Sequence, residues 1–360
     1  METQTQTISD TRRRGRGALS NQAGRFDLDR YEENDGWEID EERPAFRTEI
    51  TQEAAKSIIT RNASPDLPFD RSINPYRGCE HGCVYCFARP THCYLGLSAG
   101  LDFETKITAR PNAADLLDKE LRRKSYDVAT LAIGTNTDPY QPAERDLGIM
   151  RKCLKVLADF QHPVGIVTKG SLIERDIDIL ASMAERGLVH VGISVTTLDA
   201  KLSRLMEPRV PAPIRRLQTI RRLSDAGIPV RVMMAPVVPS VTDHEIEAVL
   251  GAAREAGAKA ASWIMLRLPQ EVSPLFQEWL QEHFPLRADR VMARVREMHG
   301  GQDYDAQWGR RMRGEGHYAS MIAARFNMAM RRQGLSPNLP VLRQDLFQPP
   351  LATADQLALF

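Results

Sequence analysis

Between about residues 70 and 270, short apolar runs rich in β-branched residues alternate with amphipathic stretches, and this alternation leaves few folds open. The apolar runs fall at 128–133, 164–168, 189–195, 230–236 and 260–268, and the amphipathic stretches at 112–124, 147–160, 172–186, 211–226 and 242–256. Ile214, Leu217, Ile220 and Leu223 recur at helical spacing, and Gly227 supplies the stop, as Gly187 and Gly257 do for two neighbouring helices. Strands that are apolar throughout need cover on both faces, so the repetition implies a parallel sheet clothed in helices. A further short strand at 71–77 brings the count to six. The expected fold is therefore α/β, an open (β/α)6 TIM-like partial barrel rather than a closed eight-stranded one. In parallel folds, functional groups gather at the carboxyl ends of the strands.

The flanks differ in character. Residues 1–45 are polar and broken by glycine and charge clusters, starting at Arg12-Arg13-Arg14-Gly-Arg16, and read as a flexible arm. Residues 46–270 carry the barrel. Residues 271–333 read as a helical extension with Trp279, Phe284, Trp308 and Phe326 as packing anchors, and 334–360, punctuated by four prolines, as an extended tail. A composition that is 42% hydrophobic and 26% charged over 360 residues can build a large core without disulfides. The formal net charge of +1 gives no global signal for nucleic acid or membrane, though a neutral total can hide a local basic cleft. No secretory h-region and no apolar run near the ~20 residues of a bilayer span is present, so a soluble chain in a reducing, cytoplasmic compartment is expected.

Four of the five cysteines, Cys79, Cys83, Cys86 and Cys93, fall within fifteen residues. In a chain that does not need bridges, this clustering points to metal. Thiolates at Cys79, Cys83 and Cys86 can wrap one cluster, with Gly78 and Gly82 letting the backbone turn around it. Three protein ligands on a four-iron cluster leave one iron open to a substrate. On spacing alone two other readings stand: a zinc site completed by Cys93, His81 or His92, and a closed electron-transfer cluster completed by Cys93. Cys153 sits on an amphipathic stretch and reads as core.

The CxxxCxxC spacing, with aromatic Tyr85 just before the last cysteine, resembles the signature of radical S-adenosylmethionine (SAM) enzymes. Arg77-Gly-Cys79, Tyr85-Cys86-Phe-Ala-Arg-Pro-Thr and Gly134-Thr-Asn-Thr-Asp138-Pro-Tyr-Gln-Pro resemble the branch related to spore photoproduct lyase, the DNA repair photolyase-like enzymes, over roughly residues 45–330. The resemblance implies a [4Fe-4S] cluster on the three cysteines and reductive cleavage of SAM to a 5′-deoxyadenosyl radical. It also implies a reductant such as flavodoxin or ferredoxin.

The same resemblance suggests the SAM pocket. Tyr85 stands beside the cluster, and Gly134, Thr135 and Asn136 match the segment that holds the methionyl amino group. Lys169 and Ser194 match a lysine and a later serine at strand ends. Lys169 would meet the SAM carboxylate. Glu207-Pro-Arg209 resembles a stretch that closes the pocket, with a Glu207–Arg209 salt bridge as the plain alternative. Met233, Met234 and Pro236 are candidates to pack on adenine, and Glu144 is a further candidate nearby. The branch's hydrogen-donor cysteine has no counterpart here, where the chain reads Val128-Ala-Thr-Leu, so no catalytic residue is assigned.

Residues 356–360, from Gln356 to Phe360, resemble the Gln-Leu-x-Leu-Phe peptide that binds the bacterial polymerase sliding clamp. Three functions follow. The first is a radical SAM enzyme acting on DNA or a nucleotide lesion. The second is the same chemistry on RNA, a peptide or a metabolite. The third is a non-catalytic zinc or iron-sulfur protein recruited to DNA.

Overall fold

A computed structural model describes residues 8, 13–22, 24–26 and 45–351. Its main sheet has seven strands: β2 (Ile59–Arg61), β3 (Arg71–Ile73), β6 (Leu131–Ile133), β7 (Val164–Thr168), β8 (Val189–Ser194), β9 (Val230–Val237) and β10 (Ala260–Met265). They lie in the order β10-β9-β8-β7-β6-β3-β2. Every pair from β3 to β10 is parallel, and only the edge strand β2 runs antiparallel, against β3. Five of the six parallel strands are those expected from the apolar runs, in sequence order. The sixth, β3, is the first part of the strand expected at 71–77, whose end turns off into a second sheet; β10 and β2 are the outermost strands. The result is the open, partial (β/α)6 barrel.

Helices fill the connections: Ala113–Leu121, Ile149–Asp159, Ile177–Glu185, Pro213–Asp225 and Ile246–Glu255. Three of them are followed by Gly187, Gly227 and Gly257 at φ +71°, +77° and +101°. These are the left-handed stops that only glycine adopts cheaply. A second sheet of β1 (Glu49–Gln52), β4 (Tyr76–Arg77) and β5 (Lys106–Ala109) lies outside the barrel count.

The extension holds Val272–His283, Ala288–Met298 and Gly316–Arg332. Trp279 and Phe326 are buried and Phe284 is partly so. Trp308 departs from expectation: it is 60% exposed, standing in a turn between helices rather than on one of their apolar faces. The segment 334–351 runs past the amino ends of the strands. Ser336 bridges Ala260, the Arg343 amide donates to the Gly187 carbonyl, and Phe347 packs on Tyr126, Phe160 and His162. Residues 356–360, with the clamp-like peptide, lie outside the described residues. Among the described residues no helix is long and apolar enough to cross a membrane.

Candidate functional site

Strands β3 and β4 deliver the chain into the cysteine loop. Gly78 and Gly82 sit at φ +76° and +66°. A Cβ on Gly78 would come within 3.0 Å of the Phe103 carbonyl, and one on Gly82 within 2.6 Å of the Glu104 carboxylate, so both positions exclude a side chain. The Cys79 amide donates to the Phe103 carbonyl at 3.0 Å and the Cys86 amide to the Cys83 carbonyl at 3.2 Å, which folds the loop back on itself. Cys79 and Cys83 are buried and Cys86 half-buried. Burial pushes the Cys79 thiol well up, and nearby Asp138, Cys83 and Cys86 add to it. Burial pushes Cys83 up as well, against the pull of Lys169. Thiols crowded this way resist ionising alone, so a metal that takes them as thiolates relieves both the burial and the mutual repulsion.

Of the residues that could supply a fourth protein ligand, Cys93 is turned away into another part of the fold, while His81 and His92 each have one ring nitrogen held within it. Cys93 lies in a separate apolar cluster with Ala18, Ala99, Leu101 and Leu275, its thiol bonded to Glu271. Nε2 of His92 is 3.0 Å from the Lys106 carbonyl, and Nδ1 of His81 is 3.2 Å from the Asp138 carboxylate. Among the described residues, no three His, Cys, Asp or Glu side chains converge as they would on one metal ion. A mononuclear zinc site brings its donors within about 2.3 Å of a single point. In a four-iron cluster each thiolate bonds a different iron, which suits three cysteines spread round a loop.

Arg89, within the Cys-Phe-Ala-Arg-Pro stretch, is wholly buried and holds the loop's carbonyls. Its guanidinium donates to Cys83, Ala99 and Gly100 at 2.9–3.0 Å and pairs with Glu104 at 2.6 Å. The Glu104 carboxylate also accepts the amides of Gly17 and Ala18, both at 2.8 Å. Residues 16–20 are therefore buried against the cluster loop rather than free. A Cβ on Gly17 would stand 1.9 Å from the Gly82 carbonyl, so this contact requires glycine. Nothing in the polar composition of 1–45 signals it, because two of the bonds come from backbone amides and the side-chain bonds of Arg16 and Ser20 reach partners distant in sequence.

The strand ends complete the site. Gly134, after β6, sits at φ +86° with its backbone tight against the Val167 carbonyl. Thr135 and Asn136 are half-exposed, with no hydrogen bond among the described residues. Asp138 is an anchor: it accepts the Thr168 hydroxyl at 2.6 Å and the Lys169 amide at 2.7 Å. Burial works to raise its carboxyl, but His81, the Lys169 amide and Thr168 outweigh that and hold it down at about 2. A depressed carboxyl stabilises the fold above its unfolded pKa near 4, a contribution lost as pH falls through about 2. Asp138→Asn is expected to cost on the order of 2 kcal/mol in urea unfolding at about pH 5, a gap that narrows as pH falls below about 4.

Lys169 follows β7. Its ammonium lies 5.7 Å from the centre of the Tyr85 ring. Burial opposes its charge, while Cys83 and Glu207 favour it and prevail. Among the described residues no carboxylate forms a direct ion pair with it.

Tyr85 donates its hydroxyl to Glu207, which also accepts the Thr196 hydroxyl at 2.7 Å and pairs with Arg216 at 2.8 Å. The Glu207–Arg209 pairing is thus replaced: Glu207 turns inward to Arg216, and Arg209 pairs with Glu80 at 3.3 Å. The Ser194 hydroxyl donates to the Ala235 carbonyl at 3.2 Å, and Glu144 is buried on Tyr76 and Arg175, both as internal bonds of the barrel. Met233 is half-buried beside Gly192, whereas Met234 and Cys153 are core.

The family model for the Radical SAM superfamily matches residues 73–253. An uncharacterized protein of Mycobacterium tuberculosis is 40% identical over 235 residues, covering 65% of this chain and 68% of its own length. One of Methanocaldococcus jannaschii is 25% identical over 240 residues, 66% of this chain and 85% of its own. Spore photoproduct lyase complexed with dinucleoside spore photoproduct superposes over 80% of this chain and 81% of its own, with a TM-score of 0.57 at 13% identity. A mutant of that lyase with bound SAM and the same dinucleoside gives 0.56 over the same shares, also at 13% identity.

Proposed function

The chain belongs to the radical SAM superfamily, and from that premise we propose that it is an enzyme of SAM-dependent radical chemistry acting on DNA or a nucleotide lesion. Its cofactors are a [4Fe-4S] cluster and SAM, and Cys79, Cys83 and Cys86 are the residues to hold the cluster. Held by these three thiolates with one iron free of protein ligands, the cluster would supply the electron for reductive cleavage of SAM, and so the radical chemistry that removes a hydrogen atom from a substrate. The observation that carries the reading is the placement of Cys93 in a separate apolar cluster beside Glu271, which leaves three thiols in the loop.

The chain's own groups have separate tasks. Arg89 and Glu104 set the loop. Asp138 ties that loop, through His81, to the end of β7. This fixes the backbone from which Lys169 presents its ammonium as a point charge for a carboxylate. Gly134, Thr135 and Asn136 offer backbone and small polar groups for an ammonium. Tyr85 contributes an aromatic wall whose hydroxyl is tethered by Glu207. The likeness in fold to an enzyme crystallised with a dinucleoside lesion supports the nucleic-acid substrate. A low-potential reductant such as flavodoxin or ferredoxin, and delivery by the sliding clamp through Gln356 to Phe360, belong to the same reading.

The test is anaerobic reconstitution, reduction with dithionite and assay of 5′-deoxyadenosine. Release of 5′-deoxyadenosine supports the enzyme; bound zinc without SAM cleavage refutes it. Lys169→Met is expected to weaken SAM binding about 10- to 100-fold, the loss of one charged hydrogen bond. An unchanged SAM Kd would remove Lys169 from the pocket.

A further inference from the structure

The chain is almost neutral, yet its charge is not evenly spread. A cleft of about 940 Å³ opens beside the cluster loop, between the segment 13–19 and residues 204–209. Among the described residues six arginines line it, Arg13, Arg14, Arg16, Arg47, Arg204 and Arg209, against one carboxylate, Glu80, which directly follows Cys79. We propose that this cleft is a phosphodiester site, seating the sugar–phosphate backbone of a nucleic-acid strand next to the cluster.

Gathering like charges is costly unless a counter-charge is due. Arg16 is buried and donates to the Glu104 carbonyl at 2.8 Å and the Phe46 carbonyl at 3.2 Å, so its guanidinium is fixed in place. Arg16 and Arg209 share one acceptor, the Thr48 hydroxyl, at 3.2 and 3.4 Å, and that hydroxyl in turn donates to Glu80 at 2.7 Å. Two guanidiniums thus stand on one small oxygen. Burial lowers the Arg16 pKa, and the neighbouring Arg209 lowers it further. An arriving phosphate relieves that repulsion, and the planar guanidinium fork fits phosphate oxygens two at a time.

Arg14 and Arg47 are exposed, and no described residue pairs with either. They brace nothing in the fold, which is what a site for a mobile polyanion requires of its rim. Glu80 brings the cysteine loop to the wall of the cleft, so a strand held here has its backbone passing along the outside of that loop. A backbone site carries no sequence preference; it positions the strand and leaves recognition of the reacting nucleotide to the pocket at the strand ends.

The inference deepens the nucleic-acid reading above and rests on it for the substrate class, but its test is independent. Full-length, anaerobically reconstituted protein is titrated against fluorescent DNA and RNA oligonucleotides of one sequence over a salt series, for the parent and for Arg14→Ala/Arg47→Ala. Affinity is expected to fall linearly in log–log with salt, and the slope to shrink by about 1 for each arginine removed, equally for any oligonucleotide sequence. SAM cleavage without substrate is expected to be unchanged in the variant. Binding of RNA as well as DNA still supports the cleft, since the two share the phosphodiester. An unchanged affinity and slope in the variant, or no binding of either oligonucleotide at low salt, overturns it. Failure of SAM cleavage, with arginine-dependent binding retained, sinks the enzymatic reading and leaves the cleft standing.

Discussion

Cys83→Ala is expected to abolish SAM cleavage and strip the chain of iron, whereas Cys93→Ala leaves both intact. The contrast follows from position. Cys83 sits in the loop whose backbone is fixed by Arg89, Gly82 and Gly78, close enough to Cys86 for that neighbour to disfavour ionisation of the Cys83 thiol. With one thiolate gone, two remain for a cluster that needs three, and metal binding free energy that helps order the loop goes with it. Cys93 is nearby in sequence but faces Ala18, Leu101 and Leu275. Its replacement removes a small buried side chain and costs a modest amount of packing. Iron analysis, with about four irons per chain expected in the parent, and a 5′-deoxyadenosine assay read both variants. Retention of iron in Cys83→Ala with its loss in Cys93→Ala would exchange the two in the ligand set, and loss of iron in both would make Cys93 a fourth ligand and close the open iron.

How far the chain could be read before its fold was known depends on where each determinant lies. Five of the six parallel strands were legible because each is a local apolar run, and the helix stops because glycine is needed for their positive φ. The sheet of β1, β4 and β5 was not. Glu49–Gln52 is exposed along its whole length and Tyr76–Arg77 is two residues long, so neither carries a periodic pattern. The three thiols announce themselves by spacing. Arg89 and Glu104 do not, because a buried ion pair between residues fifteen apart exists only once the fold has brought them together. Glu207 shows the converse error: adjacency to Arg209 suggested a partner, while the helix Pro213–Asp225 brings Arg216 into the barrel as the real one. The buried segment at 16–20 was illegible for a third reason. Its anchors are the amides of Gly17 and Ala18, which have no letter in the sequence, and the side chains of Arg16 and Ser20, whose partners at Glu104 and Glu278 lie far along the chain.

The Arg89–Glu104 pair is where stability and cofactor binding are expected to fail together. Both side chains are fully buried, and Glu104 serves three donors: the Arg89 guanidinium and the amides of Gly17 and Ala18. Glu104→Leu leaves the Arg89 charge uncompensated and strands both amides, so a loss of about 3–5 kcal/mol is expected in anaerobic urea unfolding. Arg89→Met leaves Glu104 as the unpaired charge and frees the carbonyls of Cys83, Ala99 and Gly100, with a loss in the same range. The double variant removes both charges together and is expected to recover part of that loss, since an apolar pair tolerates burial better than a lone ion. Iron retention separates this clamp from a merely structural pair. If Arg89 positions the loop, Arg89→Met and the double variant both lose iron, even where the double variant regains stability. Costs below about 1 kcal/mol in both single variants, with iron retained, would mean that the glycine turns and thiols alone set the loop.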